Sequence, residues 1–243
     1  MFTFYLYPEQ ALQYRNEYKF ICDNTQMIQI EDSIRTLCFR DPHSGKDGKY
    51  YIRSLYYDTS DDKYYFQTKN GEDSRYKYRI RIYNRSDGHI SLERKESLHG
   101  KKRKVTQCLS RDEYDRVFIS GPDQSLYGPG PLLNEFISEN SLYLLEPRVI
   151  IEYSRTPYIF PIGNVRITFD RHLLAAFPQD IFAENLSGIN ILEEPLGILE
   201  VKYDDLLPGS IQNALSYFNL MPATFSKYTR AREALAGYLG ELS

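Results

Sequence analysis

At 243 residues the chain has the length of one large β-rich domain, and residues 1–243 are read as a single domain with room for a buried core. Hydrophobic residues make up 42% and charged residues 26%, and Trp is absent while Tyr reaches 22, which excludes a disordered chain and favours strands with amphipathic surfaces. A net charge of −3 excludes a domain-wide basic field, so no nucleic-acid partner is expected and any basic site must be local.

The first eight residues, Met1 to Pro8, are aromatic but lack a basic start and a long apolar run, so they do not read as a signal peptide. No stretch approaches the ~20 apolar residues of a membrane span, so this chain is not expected to insert, although a membrane-bound partner is left open. Cys22, Cys38 and Cys108 are scattered, which predicts reduced thiols and a cytoplasmic location rather than a disulfide framework or a zinc site.

In chain order, Arg15 to Phe20 alternates with period two and places Arg15, Glu17 and Lys19 on one face of a strand. Asn24 is expected to cap a helix carrying Ile28, Ile34 and Leu37, and a strand follows at Tyr50 to Tyr57. The clearest strand is Arg75 to Tyr83. Its odd positions Arg75, Lys77, Arg79 and Arg81 are basic, and its even positions Tyr76, Tyr78, Ile80 and Ile82 are apolar or aromatic.

A turn at Ser86-Asp87-Gly88 leads to a strand over Ile90 to Lys95, where Glu93 and Lys95 share a face. The run Lys101 to Lys104 reads by composition as a solvated loop. Ser110 with Glu113 forms a capping-box pattern for a helix through Phe118, then come a Gly- and Pro-rich loop at Gly121 to Pro131 and a short helix near Leu132 to Glu139. Strands Arg148 to Arg155 and Val165 to Phe169 flank a turn at Ile162-Gly163-Asn164. Leu196 to Tyr203 sets Glu200 and Lys202 on one face. Helices Ser210 to Phe218 and Lys227 to Leu239 are separated at Met221-Pro222.

The turn spacings favour antiparallel connections, so the expected class is α+β: antiparallel strands, which can close into a barrel, with flanking helices. Any one pair of charges on a strand reads as solvated decoration. Taken together, alternate residues of every strand would enter one lumen, and a cation-rich lumen repels itself unless it is hydrated and receives a polyanion. A chain of phosphates meets that requirement, with Arg as a planar fork and Lys as a compact charge. Glu is a hard oxygen ligand, so Mg²⁺ or Mn²⁺ would bridge phosphate oxygens. The four histidines, His43, His89, His99 and His172, are far apart in sequence and read as surface or loop residues.

Seven segments then resemble a known family in the same order: Arg15-Asn16-Glu17-Tyr18-Lys19-Phe20, Ser54-Leu55-Tyr56-Tyr57-Asp58, Arg79-Ile80-Arg81, Leu92-Glu93-Arg94-Lys95, Arg166-Ile167-Thr168-Phe169-Asp170, Leu199-Glu200-Val201-Lys202 and Phe225-Ser226-Lys227-Tyr228. The resemblance, from Tyr14 to Leu239, is to the VTC domain, the catalytic domain of the vacuolar transporter chaperone polyphosphate polymerase. That domain belongs to the CYTH or triphosphate tunnel metalloenzyme superfamily.

The resemblance implies a closed antiparallel β-barrel tunnel of about eight strands with flanking helices, ATP and polyphosphate as partners, and a transfer of the γ-phosphate of ATP to a polyphosphate chain, with Mn²⁺ or Mg²⁺. It implies phosphate contacts from Lys19, Arg79, Arg81, Lys95, Lys102, Lys104, Tyr153, Arg155, Arg166 and Lys227, and Arg15 and Lys202, which share strand faces with Lys19 and Glu200, are expected to join them. Of these, Arg79, Arg81, Lys95 and Lys227 would be catalytic and Glu200 would be the metal ligand. The superfamily's hydrolases carry ExExK where this chain has Arg15-x-Glu17-x-Lys19, a change shared by VTC-type domains that favours the polymerase branch.

Bland readings stand beside these: Glu200 paired with Lys202 or Arg81, Lys95 paired with Glu93, Arg155 at a solvated strand end, Asp58 and Asp170 as strand ends. A metal-dependent tunnel hydrolase and a noncatalytic polyphosphate-binding module remain alternatives, because both need the same lumen.

Overall fold

The structure, a computed structural model, describes residues 14–121, 128 and 130–241. The Met1 to Pro8 segment and most of the Gly121 to Pro131 loop lie outside the described residues.

The strands, in chain order, are β1 (Asn16–Cys22), β2 (Phe39–Arg40), β3 (Tyr50–Asp58), β4 (Arg75–Tyr83), β5 (Ser86–Leu98), β6 (Lys101–Leu109), β7 (Glu146–Phe160), β8 (Val165–Ala176), β9 (Ile189–Asn190) and β10 (Gly197–Tyr203). The helices are α1 (Asn24–Ile34), α2 (Lys63–Lys69), α3 (Arg111–Tyr114), α4 (Pro131–Tyr143), α5 (Gly209–Ser216) and α6 (Lys227–Glu241). One antiparallel sheet runs in the order β1-β10-β8-β7-β3-β4-β5-β6, with β2 added to β7 and β9 to β8.

The edge strands β1 and β6 meet at one pair of residues. Arg15 N–H donates to the Lys102 carbonyl at 2.9 Å, and Lys102 N–H returns a bond to the Arg15 carbonyl at 3.1 Å. A single bridge is not a ladder, so the expected closed barrel is corrected to a sheet whose two edges touch once. The free edge of β1 is occupied further along by another segment: Ala223 N–H donates to the Lys19 carbonyl at 2.8 Å, and Phe20 bridges Pro222. Those backbone groups are therefore satisfied without β6.

Binary patterning decides which face each helix covers. The even-numbered residues of β4, with Leu92 of β5, pack against Phe136 and Ile137 of α4. Phe20, Ile167, Phe169 and Leu199 pack against Met27, Ile30 and Ile34 of α1 and Ile211 of α5. A third cluster sets Tyr56, Ile151 and Tyr153 against Phe225, Tyr228 and Leu235, so α6 and the segment before it fill space on the face that also carries the charged rows.

Several local expectations are corrected. Asp23, not Asn24, caps α1, through a capping box with Gln26. The buried stripe is Met27, Ile30 and Ile34, while Ile28 is exposed and Leu37 lies past the helix end. The β4–β5 turn sits at Asn84-Arg85, both with positive φ, and Ser86 to Gly88 already belong to β5. The Lys101 to Lys104 run is not a loop but the start of β6. The Ser110 capping box is present, but α3 gives way to a π-helical turn over Asp115–Ile119.

Candidate phosphate-binding cavity

The register of β4, β5 and β6 builds one wall of the site from adjacent rows. Arg75 lies opposite Ser97, which lies opposite Lys102; Lys77 faces Lys95, which faces Lys104; and Arg79 faces Glu93, which faces Thr106. Directly opposed residues share a face, so seven cations of these strands, Arg81 included, stand on the same side of the sheet as the carboxylate of Glu93. Glu93 is 1% exposed and receives Arg79 Nε at 2.7 Å and Lys104 Nζ at 2.6 Å, with Arg81 Nη1 at 3.8 Å. Burial alone would raise its pKa, but Arg79, Lys104 and Arg81 outweigh burial and hold the carboxyl well below its usual range. Arg79 also donates to the Tyr56 hydroxyl at 2.7 Å, and Arg81 donates to Ser54 Oγ at 3.1 Å and to the Tyr153 hydroxyl at 3.4 Å.

The opposite wall mixes signs. On β1 and β10, Lys19 lies opposite Glu200 and Glu17 opposite Lys202. Glu17 is reached by Lys19 at 3.1 Å and by Lys95 and Lys202 at 3.4 Å each. Glu200 is bonded by Lys202 and lies 3.9 Å from Lys19. For both carboxyls the lysines overcome the upward push of burial, and the pKa is lowered. Asp170 on β8 is fully buried and takes a bidentate pair from Arg155, at 2.6 and 2.7 Å, plus Lys227 at 2.7 Å. Lys227 opens α6, where a cation opposes the helix dipole, so the carboxylate beneath it offsets that position. Ser226 Oγ accepts from Thr229 N–H at 3.3 Å and caps the same helix end.

Between the walls lies a cavity of about 320 Å³. Ten of the side chains lining it are Lys or Arg, and three are Glu. Of the sequence-predicted residues, Lys19, Arg79, Arg81, Lys95, Lys102, Tyr153, Arg155, Lys202, Lys227 and Glu200 come together there. Three do not line it. Arg15 is turned to Asp204 at 2.9 Å, and Arg166 is held by Asp41 at 2.6 Å and the Tyr50 hydroxyl at 2.9 Å. Lys104 reaches the cavity wall through Glu93.

Lys95 pairs with Glu17 rather than Glu93, Arg155 is buried rather than at a solvated end, and Glu200 does pair with Lys202. Asp58 is also more than a strand end. It accepts from the N–H groups of Thr59, which follows it, and of Tyr64 and Tyr65 at the start of α2, and from the Tyr228 hydroxyl at 2.5 Å.

The lining also contains Glu17, Tyr56, Arg75, Lys77, Ser226 and Tyr228. The signal for Arg75 and Lys77 was present in the period-two row that ends in Arg79 and Arg81. Glu17, Tyr56, Ser226 and Tyr228 lay inside motif segments whose charged members drew the assignment.

Among the described residues no group of three or more His, Cys, Asp or Glu is arranged to hold a metal ion. Glu17 and Glu200 both lie within 4 Å of Lys19 Nζ and line the cavity. Two ionised carboxylates fit a hard divalent cation that completes its shell with water and phosphate oxygens.

The family model described as the VTC domain matches residues 14–236. No curated protein matches the sequence. Among solved structures, a Bacillus halodurans protein assigned as an adenylate cyclase aligns with a TM-score of 0.52 at 15% identity, covering 88% of this chain and 94% of that one. A Pyrococcus horikoshii protein aligns at 0.44 with 13% identity over 95% and 100% of the two chains, and an inorganic triphosphatase at 0.29 with 12% identity over 90% and 97%. At these identities the likeness is one of fold, and the first alignment carries it.

Proposed function

The chain belongs to the VTC domain family, and we propose on that premise that it acts as one domain that transfers the γ-phosphate of ATP to the end of a polyphosphate chain. The observation that supports this reading best is the cavity itself, where ten Lys and Arg side chains converge from strands and from the start of α6. A polyanion is the ligand whose charge matches such a lining.

Arg79 and Arg81 would grip phosphate oxygens from β4, their forks already aimed by Glu93, Tyr56 and Ser54. Lys95, Lys19 and Lys202 would contact the chain beside Glu17 and Glu200, and Arg155 and Lys227 would do so from their shared partner Asp170. Glu200, with Glu17 beside it, would hold Mn²⁺ or Mg²⁺, which supplies charge neutralisation between phosphate oxygens when bound. The protein's own part is alignment: the acceptor oxygen and the γ-phosphorus are held in line while fixed cations stabilise the charge that develops. No side-chain nucleophile is needed, because the acceptor phosphate is already ionised.

Among the described residues no helix is long and apolar enough to cross a membrane. We place the reaction in the cytoplasm, with polyphosphate released into solution or to a membrane-bound partner.

The test is to incubate the purified chain with ATP and Mn²⁺ or Mg²⁺, with and without a short polyphosphate primer, and to resolve products on a polyphosphate-stained gel. A ladder growing with ADP is the expected result. Free phosphate without a ladder would replace the polymerase by a tunnel phosphohydrolase, and binding without products would leave a polyphosphate-binding module.

A further inference from the structure

The cations of the cavity fall into two groups by what neutralises them. Lys19, Lys95 and Lys202 have Glu17 or Glu200, Arg79 and Arg81 have Glu93, and Arg155 and Lys227 have Asp170. Arg75, Lys77 and Lys102 have no carboxylate partner within 4 Å among the described residues. Their hydrogen bonds go to neutral acceptors instead: Arg75 to the Glu72 carbonyl, Lys77 to Thr68 Oγ1 at 3.0 Å, and Lys102 to Ser97 Oγ at 2.6 Å.

All three line the same cavity, and Arg75 and Lys102 flank Ser97 on neighbouring strands. They sit at the start of β4 and beside the β5–β6 turn at Gly100, at the end of the cationic row opposite Arg81.

We propose that Arg75, Lys77 and Lys102 form a subsite for bare, metal-free phosphate units, occupied by the polyphosphate chain rather than by the triphosphate of the nucleotide. This rests on the proposed function above. A metal-chelated triphosphate has much of its charge neutralised and fits the stretch where Glu17 and Glu200 stand among lysines. An unchelated phosphate chain carries a charge on every unit and fits the stretch where Arg75, Lys77 and Lys102 have no carboxylate of their own, the Glu96 carboxylate there being taken up by Arg94 and Arg103.

The length of the row supports the division. Arg75 and Arg81 are six residues apart on β4, ~20 Å of strand, a span that three phosphate units do not cover. Neutral hydroxyls from Thr68 and Ser97 keep the three cations oriented without neutralising them. The mutual repulsion of Arg75 with Lys77 and with Lys102 is relieved when a polyanion enters.

The experiment compares wild type with the double variant R75Q/K77Q by titration calorimetry, using Mn–ATP and, in chelator, long-chain polyphosphate as the two probes. Thermal melting confirms that the variant is folded; if it is not, K102Q is titrated in its place. The expected result is a loss of at least about 30-fold in polyphosphate affinity, with Mn–ATP affinity changed by less than about threefold. Equal losses for both probes, or no loss for polyphosphate, would overturn the subsite. Wild type binding Mn–ATP but not polyphosphate would overturn it while leaving the nucleotide site standing. Wild type binding neither probe would bring down the proposed function and the subsite with it.

Discussion

The wall made by β4, β5 and β6 and the wall made by β1, β10 and β8 face one cavity but handle charge in different ways. The first carries Arg75, Lys77, Arg79, Arg81, Lys95, Lys102 and Lys104 with one carboxylate on the same face, Glu93, which pairs with Arg79, Arg81 and Lys104. The second interleaves Glu17 and Glu200 with Lys19 and Lys202, and sets Asp170 under Arg155 and Lys227. Both are made by the same period-two pattern, so the difference lies in which residue types occupy the inward positions. A mixed wall can stand empty because each charge has an internal partner. On the cationic wall Arg75, Lys77 and Lys102 have no such partner, so their charge is relieved only from outside and their binding energy is available to the ligand because it is not already spent on carboxylates.

The comparison is tested most severely at Glu93, the hub of the cationic wall. Removing Arg79 alone would leave the buried carboxylate to Lys104 and the more distant Arg81, at a cost of about 1.5–3 kcal/mol in stability. Neutralising the whole hub with R79Q, R81Q and E93Q avoids that defect and isolates the anion-binding role. Tripolyphosphate affinity is expected to fall on the order of 10³-fold in a variant that still melts cooperatively. Calorimetry showing wild-type affinity in that folded protein would remove Arg79 and Arg81 from the site.

Asp170→Asn probes the mixed wall from the inside. Arg155 and Lys227 lose a carboxylate that is fully buried, and destabilisation of about 3–5 kcal/mol is expected, seen as a drop of roughly 10 °C in Tm. Saturating tripolyphosphate should restore more of this loss than it adds to the wild type, because the freed cations find their charge in the ligand. A variant with unchanged Tm would mean that the three-way pair contributes little.

Glu200→Gln separates the metal from the phosphates. Metal-dependent turnover is expected to fall by about 100-fold, whereas metal-free tripolyphosphate should bind as well or more tightly, since one negative charge has left the wall. A fully active variant would take Glu200 out of the metal role and leave Glu17 to be tested next.

How much of this was legible in the sequence depended on whether each strand had one apolar face. β4 was read to its final residue because Tyr76, Tyr78, Ile80 and Ile82 alternate strictly with cations. β6 was read as a loop because Lys101-Lys102-Arg103-Lys104 shows no apolar face at all. Lys102 turns inward, while Arg103 turns outward to Glu96 at 2.6 Å, so both faces are polar and periodicity in hydrophobicity vanishes.

Arg15 and Arg166 belonged to well-matched segments, yet their guanidiniums are claimed by Asp204 and by Asp41 with Tyr50, partners far away in sequence. Barrel closure is an implication of the family resemblance, and the competing use of the β1 edge by Pro222 and Ala223 leaves no local signal.

The smallest expected effect is a pH dependence that separates the paired carboxylates from Lys77 by the window in which each acts. Glu17, Glu93, Glu200 and Asp170 have folded pKa values below their ordinary ones, since their cations outweigh burial. Their contribution to stability is therefore complete above about pH 4–5 and is lost as pH falls through the depressed values. Lys77 behaves differently. Burial, reinforced by Lys19, Arg75 and Arg79 and opposed by Asp58, pushes its ammonium down to about 7.

The folded protein then holds fewer protons at Lys77 than the unfolded chain between about pH 7 and pH 10, so this residue makes stability rise with pH across that window. A polyanion restores the charge, and binding above pH 7 must take up a proton, weakening by up to about tenfold per pH unit. Titrating polyphosphate at pH 8 in buffers of different ionisation enthalpy reads that proton directly, and K77M should abolish the buffer dependence. Equal uptake in wild type and K77M would assign the proton to another group and leave Lys77 charged in the empty cavity.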